Sequence, residues 1–271
     1  MPIDKSISLD TKEIKPIELP EYIKWVNKYL NEAITERSQH HYESVSLIMK
    51  SQFEQSSFWT NLIDSLEAYN YEYQAKFGYP LLQNVDEKPE IVIKPWKSFI
   101  EKTLRYNLIN NDNWPEEPID GWILPSNWFI RINDIIRTTI IVKYLDGVHF
   151  IVDKMRSTCK TNGSDYHCDF EATEEGYYAA HIYKLENIEI PKTDWDTEII
   201  PVQFEVQVNT QIQDVIKKLT HKYYEERRLK IPAESEYGWQ WDYTNEEFAP
   251  NYLGHILHYV EGMIMEIRNR R

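Results

Sequence analysis

The feature that most constrains the fold is a change in hydrophobic period near residue 130. Upstream, PEYIKWVNKYLNEAITER spaces its apolar residues three and four apart, which is the period of an amphipathic helix. Downstream, PVQFEVQVN alternates apolar and polar residues, which is the period of a half-buried strand. Helices followed by mixed strands and helices predict an α+β protein in which helices flank a mixed β-sheet.

The same patterns divide the chain into segments. We expect strands in RTTIIVKYL (137–145), YYAAHIYKLENI (177–188) and PVQFEVQVN (201–209), and helices in KPWKSFIEKTLRYNL, DGVHFIVDKM, TQIQDVIKKLTHKYYEERR and NYLGHILHYVEGMIMEIRNRR. The predicted regions are a helical N-terminal region (1–88), a core (89–232) and a C-terminal helical extension packed on that core (233–271). In the helix that follows PVQFEVQVN, the pattern turns these residues inward: Ile212, Val215, Ile216, Leu219 and Tyr223.

Composition excludes several classes of function. The 30 Lys and Arg against 44 Asp and Glu give a net charge of −14, which argues against general polyanion binding. The 8 Gly include no GxGxxG and no GxxxxGK[ST], so a bound nucleotide must be held by side chains. No apolar run reaches the length of a spanning helix, and the N-terminus lacks an uninterrupted signal-peptide core. We therefore expect a cytoplasmic protein with no membrane partner.

Four polar residues follow one another at helical spacing. Lys94, Ser98, Lys102 and Arg105 fall at i, i+4, i+8 and i+11, on one stripe of a helix. Three cations and a hydroxyl in a line suit a chain of phosphates. A solvated helix face has the same pattern, so this stripe alone does not decide between the two.

Two acids lie where core residues are expected. Asp134 stands just before the strand at 137–145, and Glu205 lies in the middle of PVQFEVQVN. Two carboxylates on neighbouring strands commonly hold Mg²⁺ together with phosphate oxygens, although either acid could instead be a structural ion-pair partner. GYYAAH (176–181) adds Tyr177 and His181 between them in the chain. Tyr178 points opposite to Tyr177 if both lie on a strand, so one of the two faces the core.

In this order the motifs resemble the synthetase domain of the RelA/SpoT family, the (p)ppGpp synthetases. The matching series is K-x3-S-x3-K-x2-R, D-I-x-R, G-Y-x-x-x-H, and E-V-Q-V-x-T followed by Q-x-x-D-x-x-x-x-L-x-H-K, over residues 90–230. The chain is most similar to the small single-domain synthetases, and GYYAAH resembles their toxic branch from toxin–antitoxin systems. Nothing resembles the family's hydrolase domain. The resemblance therefore implies an antitoxin protein as a partner.

The resemblance implies a nucleotidyltransferase-like sheet and an ATP pyrophosphokinase. In such an enzyme a ribose 3′-OH attacks the β-phosphorus of ATP, and AMP leaves. Asp134 and Glu205 would bind Mg²⁺, and Glu205 would also take the hydroxyl proton. The residues that would hold ATP are Lys94, Ser98, Lys102 and Arg105, with Arg137 covering adenine or phosphate.

The resemblance also assigns an acceptor side. Tyr177 would stack on the acceptor base, and Gln207 and His181 would orient acceptor or phosphate oxygens. The remaining residues expected on this side are Tyr178, Asn209, Lys217, Lys218 and Lys222.

Departures from the family pattern concern the acceptor. Arginines of the family are replaced by Val92, Thr139 and Asn209, and its basic acceptor loop reads EATEEGYYA (171–179), with three acids in place of cations. Like charges would repel the terminal phosphates of GDP or GTP. The 3′-CCA end of tRNA, which the toxic branch pyrophosphorylates, carries no such phosphates and is the acceptor we expect first. The alternative is a (p)ppGpp or (p)ppApp synthetase that uses a free nucleotide.

Two further hypotheses follow from these residues. The missing arginines favour a binding module without activity, but the Asp134 and Glu205 pair argues against it. A tRNA end needs cations, which are concentrated in Lys217, Lys218, Lys222, Arg227, Arg228, Lys230 and the terminal arginines, although a solvated helix face has the same composition. A zinc site is not expected, because Cys159, His167, Cys168 and His181 match no standard ligand spacing.

Overall fold

The computed structural model describes residues 15–16, 18–161, 166–191, 196–227 and 238–270. Within these ranges the side chains of residues 160–161 and 221–227 are not described. Arg228, Lys230 and Arg271 of the predicted basic cluster lie outside the described residues, and so do the side chains of Lys222, Tyr223 and Arg227.

Helices form at both ends of the chain and between the strands. The second begins at a capping box, in which the backbone N–H groups of Thr35 and Ser38 each donate to the other residue's hydroxyl. The third ends at Gly78, whose φ of +79° suits a glycine C-cap. The helices are α1 (Leu19–Tyr29), α2 (Glu36–Gln55), α3 (Ser57–Phe77), α4 (Trp96–Leu104), α5 (Trp128–Arg131), α6 (Leu145–Thr161), α7 (Gln211–Arg227) and α8 (Phe248–Asn269).

Five strands form one mixed sheet in the order β1-β2-β5-β4-β3. β2 and β5 are parallel, and the other neighbouring pairs are antiparallel. The predicted α+β class with a mixed, helix-flanked sheet is therefore confirmed. The strands are β1 (Ile91–Ile93), β2 (Ile136–Val142), β3 (Tyr166–Ala172), β4 (Tyr178–Pro191) and β5 (Thr197–Thr210).

The alternation predicted for β5 is present. Its apolar face packs on the N-terminal helices, where Phe204 stacks on Phe53 of α2 with ring centroids 4.3 Å apart. Its other face is polar but also lies out of solvent at Glu205, Gln207 and Asn209. The fully buried apolar residues of β5 are Val202, Phe204, Val206 and Val208.

The orientation predicted for α7 is correct for Ile216 and wrong for Val215 and Leu219. Val215 and Leu219 are 54% and 73% exposed, and Ile216 is buried. The buried side instead includes Gln213 and Thr220. α7 continues directly from β5, and Lys217 bonds to Gln207 of that strand. The inward side of the helix is therefore mostly polar, so that Val215 and Leu219 face outward while Ile216 is buried.

In the part of the chain that the structure describes, no helix is both long enough and apolar enough to cross a membrane. This finding covers α8, which has 22 residues.

We expect Phe204→Ala to lower the free energy of unfolding by about 3–5 kcal/mol, since a buried aromatic ring is removed and Phe53 loses its partner. Denaturant unfolding would measure it. Leu47→Ala is the control, because Leu47 lies on the same helix as Phe53 but is 62% exposed, and its stability should stay close to that of the wild type. A loss below about 1 kcal/mol for Phe204→Ala would contradict this account of the core.

Candidate functional site

Register pairing arranges the polar face of the sheet in two rows. Glu205 of β5 pairs with Arg137 of β2 on one side and Tyr183 of β4 on the other. Two residues further along β5, Gln207 pairs with Thr139 and with His181. Since directly paired residues share a face, the strand pattern alone brings Glu205, Arg137, Gln207 and His181 together.

A cation cluster borders these rows at the start of β2. The ammonium groups of Lys94 and Lys102 each lie 2.9 Å from an oxygen of Asp134. Lys102 also donates to the side chain of Asn133 at 3.1 Å. Lys94 is almost fully buried, and its backbone N–H donates to the carbonyl of Ile135 at 2.8 Å. Two lysines from one segment and one acid from another therefore meet in a partly buried pocket.

Burial and charge act in opposite directions in this cluster. Burial would raise the pKa of Asp134, but the attraction of Lys102 and Lys94 outweighs it and holds that pKa well below its usual value. Burial lowers the pKa of Lys94, against the attraction of Asp134. Asp134 is therefore ionised at neutral pH and keeps two lysines in place.

The predicted polar stripe of Lys94, Ser98, Lys102 and Arg105 lies only partly on one helix. α4 begins at Trp96, so Lys94 precedes the helix, and Arg105 begins a π-helical turn that runs to Ile109. The physical reason is Pro95, because its ring disfavours a helical backbone at the preceding residue and so keeps Lys94 out of α4. Lys94 and Lys102 nevertheless converge on Asp134. Ser98 lies on α4 and is half-buried.

The second group of polar residues is a chain of hydrogen bonds centred on His181. Its Nδ1 lies 2.5 Å from Glu205 Oε1, and its Nε2 lies 3.0 Å from the Tyr177 hydroxyl and 3.4 Å from Glu171. Burial, followed by the charges of Glu171 and Glu205, raises the pKa of Tyr177. Tyr177, His181 and Glu205 thus form a continuous path for a proton.

Lys217 lies in this site and not on an outer basic surface. Its ammonium group donates to Gln207 Oε1 and lies 5.9 Å from the centre of the Tyr177 ring. Lys218, by contrast, is 72% exposed along its side chain and pairs with Asp214 at 2.7 Å. The sequence analysis grouped these two lysines, but consecutive residues of a helix point in different directions, so the two lie in different surroundings.

The loop before β4 is locked onto α8 by its backbone. Gly176 has a φ of +79°, and the turn is closed by a bond of 3.0 Å from its N–H to the Thr173 carbonyl. A Cβ on Gly254 would lie 2.4 Å from the Gly176 carbonyl, and a Cβ on Gly176 would lie 2.7 Å from the Asn251 carbonyl. Only glycine at both positions lets the loop and the helix approach this closely.

Tyr178 strengthens the same contact, while Tyr177 faces the site. The two tyrosines point different ways, but β4 begins at Tyr178 and neither side chain lies in the core, as was expected of one of them. The Tyr178 hydroxyl lies 2.8 Å from His255 Nδ1, and its ring stacks on His258 at 3.6 Å. His255 Nε2 lies 2.9 Å from the Glu174 carbonyl. The loop is therefore held by its backbone and by one tyrosine.

The acids of the loop do not act as a group. Glu171 lies at the end of β3 and faces His181, whereas Glu174 is exposed and uses its carbonyl to accept from His255. Of these two acids, Glu171 has its carboxylate directly at the proton path. The sequence listed the three acids together because spacing cannot show which of them reaches the site.

The acids can be tested as metal ligands by their chemistry. In the described residues no group of three or more His, Cys, Asp and Glu side chains could hold a metal ion. Mg²⁺ needs only one or two carboxylates when phosphate oxygens complete its shell. Asp134 lies three residues before Arg137, which is the direct strand partner of Glu205. The two acids fit Mg²⁺ by ligand type.

Sequence reasoning missed the residues that α8 contributes. His255 and His258 hold the loop, and Glu261 is buried on the same side of the helix, where burial raises its pKa. In the sequence these residues are polar positions three residues apart within an otherwise apolar segment. That spacing indicates a buried polar stripe as well as a solvated one, so it could not be assigned from the sequence.

Comparison with solved structures finds the small alarmone synthetase 1 from Bacillus subtilis, with a TM-score of 0.52 and 16% identity over 84% of this chain and 96% of that chain. The structure of that protein bound to its product pppGpp gives a TM-score of 0.52 and 16% identity, over 84% of this chain and 97% of that chain. The chain therefore has the fold of a small alarmone synthetase, as the sequence resemblance implied. No family model matches the chain, and comparison with curated proteins finds no match.

We expect Asp134→Asn to lower the free energy of unfolding at pH 7 by about 3–5 kcal/mol, because Lys94 would stay buried without a counter-charge. The folded-state pKa of Asp134 lies below that of the unfolded chain, so its contribution is complete above about pH 4 and is lost as the pH falls further. The difference between wild type and variant, measured by denaturant unfolding across pH, should therefore shrink below about pH 4. Glu54→Gln, which breaks an exposed pair with Lys50, should change little. A difference that is constant down to about pH 2 would refute the ion-pair account.

We expect Gly254→Ala to lower the free energy of unfolding by about 1–3 kcal/mol, because its Cβ would strike the Gly176 carbonyl. Amide exchange of residues 173–177 should become faster, as the loop is pushed off the helix. The matched control is Gly262→Ala on the same helix, where a Cβ meets nothing within 4 Å. That variant should be as stable as the wild type or more so, by up to about 1 kcal/mol. Equal effects of the two substitutions would show that the close approach does not matter.

Proposed function

We propose that the chain is an ATP pyrophosphokinase that transfers the β,γ-pyrophosphate of ATP to a ribose 3′-OH. The observation that carries the proposal is the His181–Glu205 pair in a chain with this fold. Glu205 is the direct strand partner of Arg137, which follows Asp134 of the lysine cluster by three residues. A general base beside a group of cations is what attack of a hydroxyl on a polyphosphate requires.

On the donor side, Lys94 and Lys102 bind the ATP phosphates, with Ser98 and Arg105 further along the same segment. Arg137 covers the phosphates or the adenine. The support is the 2.9 Å contacts that already direct both ammonium groups to one anionic group, Asp134. ATP phosphates would therefore meet positioned cations and lose little side-chain entropy on binding.

Mg²⁺ bound by Asp134 and Glu205 would supply neutralisation of the charge on the transferred pyrophosphate. The protein's own residues carry the proton. The 3′-oxygen forms a bond to the β-phosphorus, the bond from that phosphorus to the α,β-bridging oxygen breaks, and AMP leaves with the electron pair. Glu205 takes the hydroxyl proton, and His181 orients its carboxylate through the 2.5 Å bond.

On the acceptor side, the base stacks on the Tyr177 ring, with Gln207 and Lys217 contacting acceptor oxygens and Asn209 behind them on the same strand. We propose the 3′ end of tRNA as the natural acceptor. The support is the carboxylate of Glu171, 3.4 Å from His181, because a fixed negative charge there disfavours a nucleotide with a free 5′-polyphosphate. Lys218 and Lys222 would contact the tRNA backbone.

Pyrophosphorylation of tRNA would block aminoacylation and so inhibit translation, which fits a toxin held in check by an antitoxin protein. The support for this role is the GYYAAH sequence. The alternative acceptor is a free guanosine or adenosine nucleotide, which makes the product an alarmone. The small alarmone synthetase 1 from Bacillus subtilis has been solved bound to its product pppGpp, so a free guanosine nucleotide is the acceptor to test beside tRNA.

The proposal is tested by incubating the protein with γ-labelled ATP and, in parallel, tRNA, GDP, GTP or AMP. We expect label in tRNA, and we expect Glu205→Gln to reduce that transfer by at least about 100-fold, because the general base is lost. Glu189→Gln is the control, since Glu189 is an exposed acid of β4, and it should keep wild-type activity.

The outcomes separate the two parts of the proposal. Label in GDP or GTP and none in tRNA would overturn the tRNA assignment and leave the pyrophosphokinase in place. Absence of label in every acceptor, with folded wild-type protein, would overturn the enzyme. Activity of Glu205→Gln within about tenfold of the wild type would remove Glu205 from its role as the base.

A further inference from the structure

The polar face of the sheet continues past the proton path onto β3. On this face Asp169 of β3 is the direct partner of His181, and His167 is the direct partner of Tyr183. Tyr183 is in turn the direct partner of Glu205. Since directly paired residues share a face, His167, Asp169 and Tyr183 belong to the same surface as the candidate site. The proposed reaction uses none of these three side chains.

Four rings follow one another across this surface. The ring centroids of Tyr177 and His181 are 5.9 Å apart, those of His181 and Tyr183 are 6.3 Å apart, and those of Tyr183 and His167 are also 6.3 Å apart. The last two rings are nearly parallel, with 14° between their planes. The side chain of His167 is 68% exposed, and Tyr183 is half-buried. The row of rings therefore leads from Tyr177 to an open aromatic surface on β3.

A fixed carboxylate borders this aromatic surface. The carboxylate of Asp169 lies 2.9 Å from His167 Nε2 and is 50% exposed. Because an ionised carboxylate has about four acceptor positions, Asp169 can accept from a ligand while it holds the imidazole. Glu171, two residues further along β3, adds a second acid on the same face. Two acids disfavour a phosphate at this place and favour a neutral group that donates hydrogen bonds.

We propose that the rings of His167 and Tyr183, together with the Asp169 carboxylate, bind the base that precedes the acceptor nucleoside in an RNA chain, and that this base is cytosine. The inference rests on the proposed function, because it adds a second contact to the proposed tRNA acceptor. Other sheets bind single-stranded RNA through aromatic side chains on which successive bases stack. A carboxylate accepts a hydrogen bond from the N4 amino group of cytosine, whereas uracil carries an oxygen at that position.

The order of the strands decides where the rest of the RNA lies. The proposed general base, Glu205, lies between β2 on one side and β4 on the other. ATP occupies the β2 side in the proposed reaction, with Arg137 and the lysine cluster, so the nucleotide before the acceptor extends toward β3. The phosphodiester between the two nucleotides carries one charge, and Lys217 can meet it, since its ammonium group lies 5.9 Å from the centre of the Tyr177 ring.

The aromatic surface distinguishes an RNA end from a free nucleotide. GDP, GTP and AMP each have one base, which the Tyr177 ring takes in the proposed reaction. They have no second base for His167 and Tyr183 to bind. Loss of this surface should therefore weaken RNA alone and leave the single nucleotides unaffected.

The first experiment measures RNA binding without catalysis. Fluorescence anisotropy in the absence of ATP gives the Kd of a short RNA that ends in CCA and carries fluorescein at its 5′ end. We expect His167→Ala to raise this Kd at least about fivefold, because the stacking of one base is lost. The matched control is Phe170→Ala, since Phe170 is a 48% exposed aromatic residue on the opposite face of β3. It should leave the Kd unchanged, and thermal unfolding checks that both variants are folded.

The second experiment tests the identity of the base. We expect the wild-type chain to bind the RNA that ends in CCA more tightly than the same RNA ending in UUA. Asp169→Asn should remove this preference, because its amide can donate to the uracil oxygen as well as accept from cytosine. Glu189→Gln, which removes an exposed acid of β4, should keep the preference. Tyr183→Phe should bind both RNAs as the wild type does, since it keeps the ring.

Three results would overturn the inference. Equal Kd values for the wild type and His167→Ala would remove the aromatic surface from RNA binding, whatever the activity of the enzyme. A KM for GDP that rises in His167→Ala as much as the KM for RNA would assign the surface to the base of a single nucleotide. Equal binding of the CCA and UUA ends by the wild type would remove the assignment to cytosine.

Failure of the proposed function gives a different result. If tRNA receives no label from γ-labelled ATP while RNA binding still depends on His167, the acceptor assignment is wrong and the base-binding surface stands. If tRNA is labelled and His167→Ala binds RNA as the wild type does, the acceptor assignment stands and the base-binding surface is wrong.

Discussion

The candidate site depends on one constraint, which is that the side chains of β5 point alternately to the two faces of the sheet. Phe204 and its apolar neighbours must face the N-terminal helices to form the core, and this forces Glu205 and Gln207 to the opposite face. Because β5 is bordered by β2 and β4, Glu205 necessarily lies beside Arg137 and Gln207 beside His181. A shift of register by one residue would therefore destroy the core and the site together.

In the lysine cluster, the positive charges are only partly neutralised. Two ammonium groups share the carboxylate of Asp134, so the cluster keeps a net positive charge and yet no cation is left without an anion. In a chain with a net charge of −14, this pocket is a local region of opposite sign. Such a region attracts a polyphosphate at short range without making the whole surface attractive to polyanions.

The sheet class and the strands β2, β4 and β5 could be predicted, because they follow from periodicity. The three-residue strand β1, the polar strand β3 and the contact of Lys94 and Lys102 with Asp134 could not, because no hydrophobic period marks them. The different surroundings of Lys217 and Lys218 and the orientation of α7 could not be predicted either. Both depend on a hydrogen bond to Gln207 that is formed only after the strand and the helix have docked.

The contact between Gly176 and Gly254 makes the position of the acidic loop independent of the charges on its exposed side chains. The loop is placed by backbone atoms and by Tyr178, whereas the side chain of Glu174 takes no part in placing it. A substitution of Glu174 can therefore alter the charge that the loop carries while the loop stays where it is. Such a loop can diversify rapidly during evolution, provided that the two glycines are inherited together.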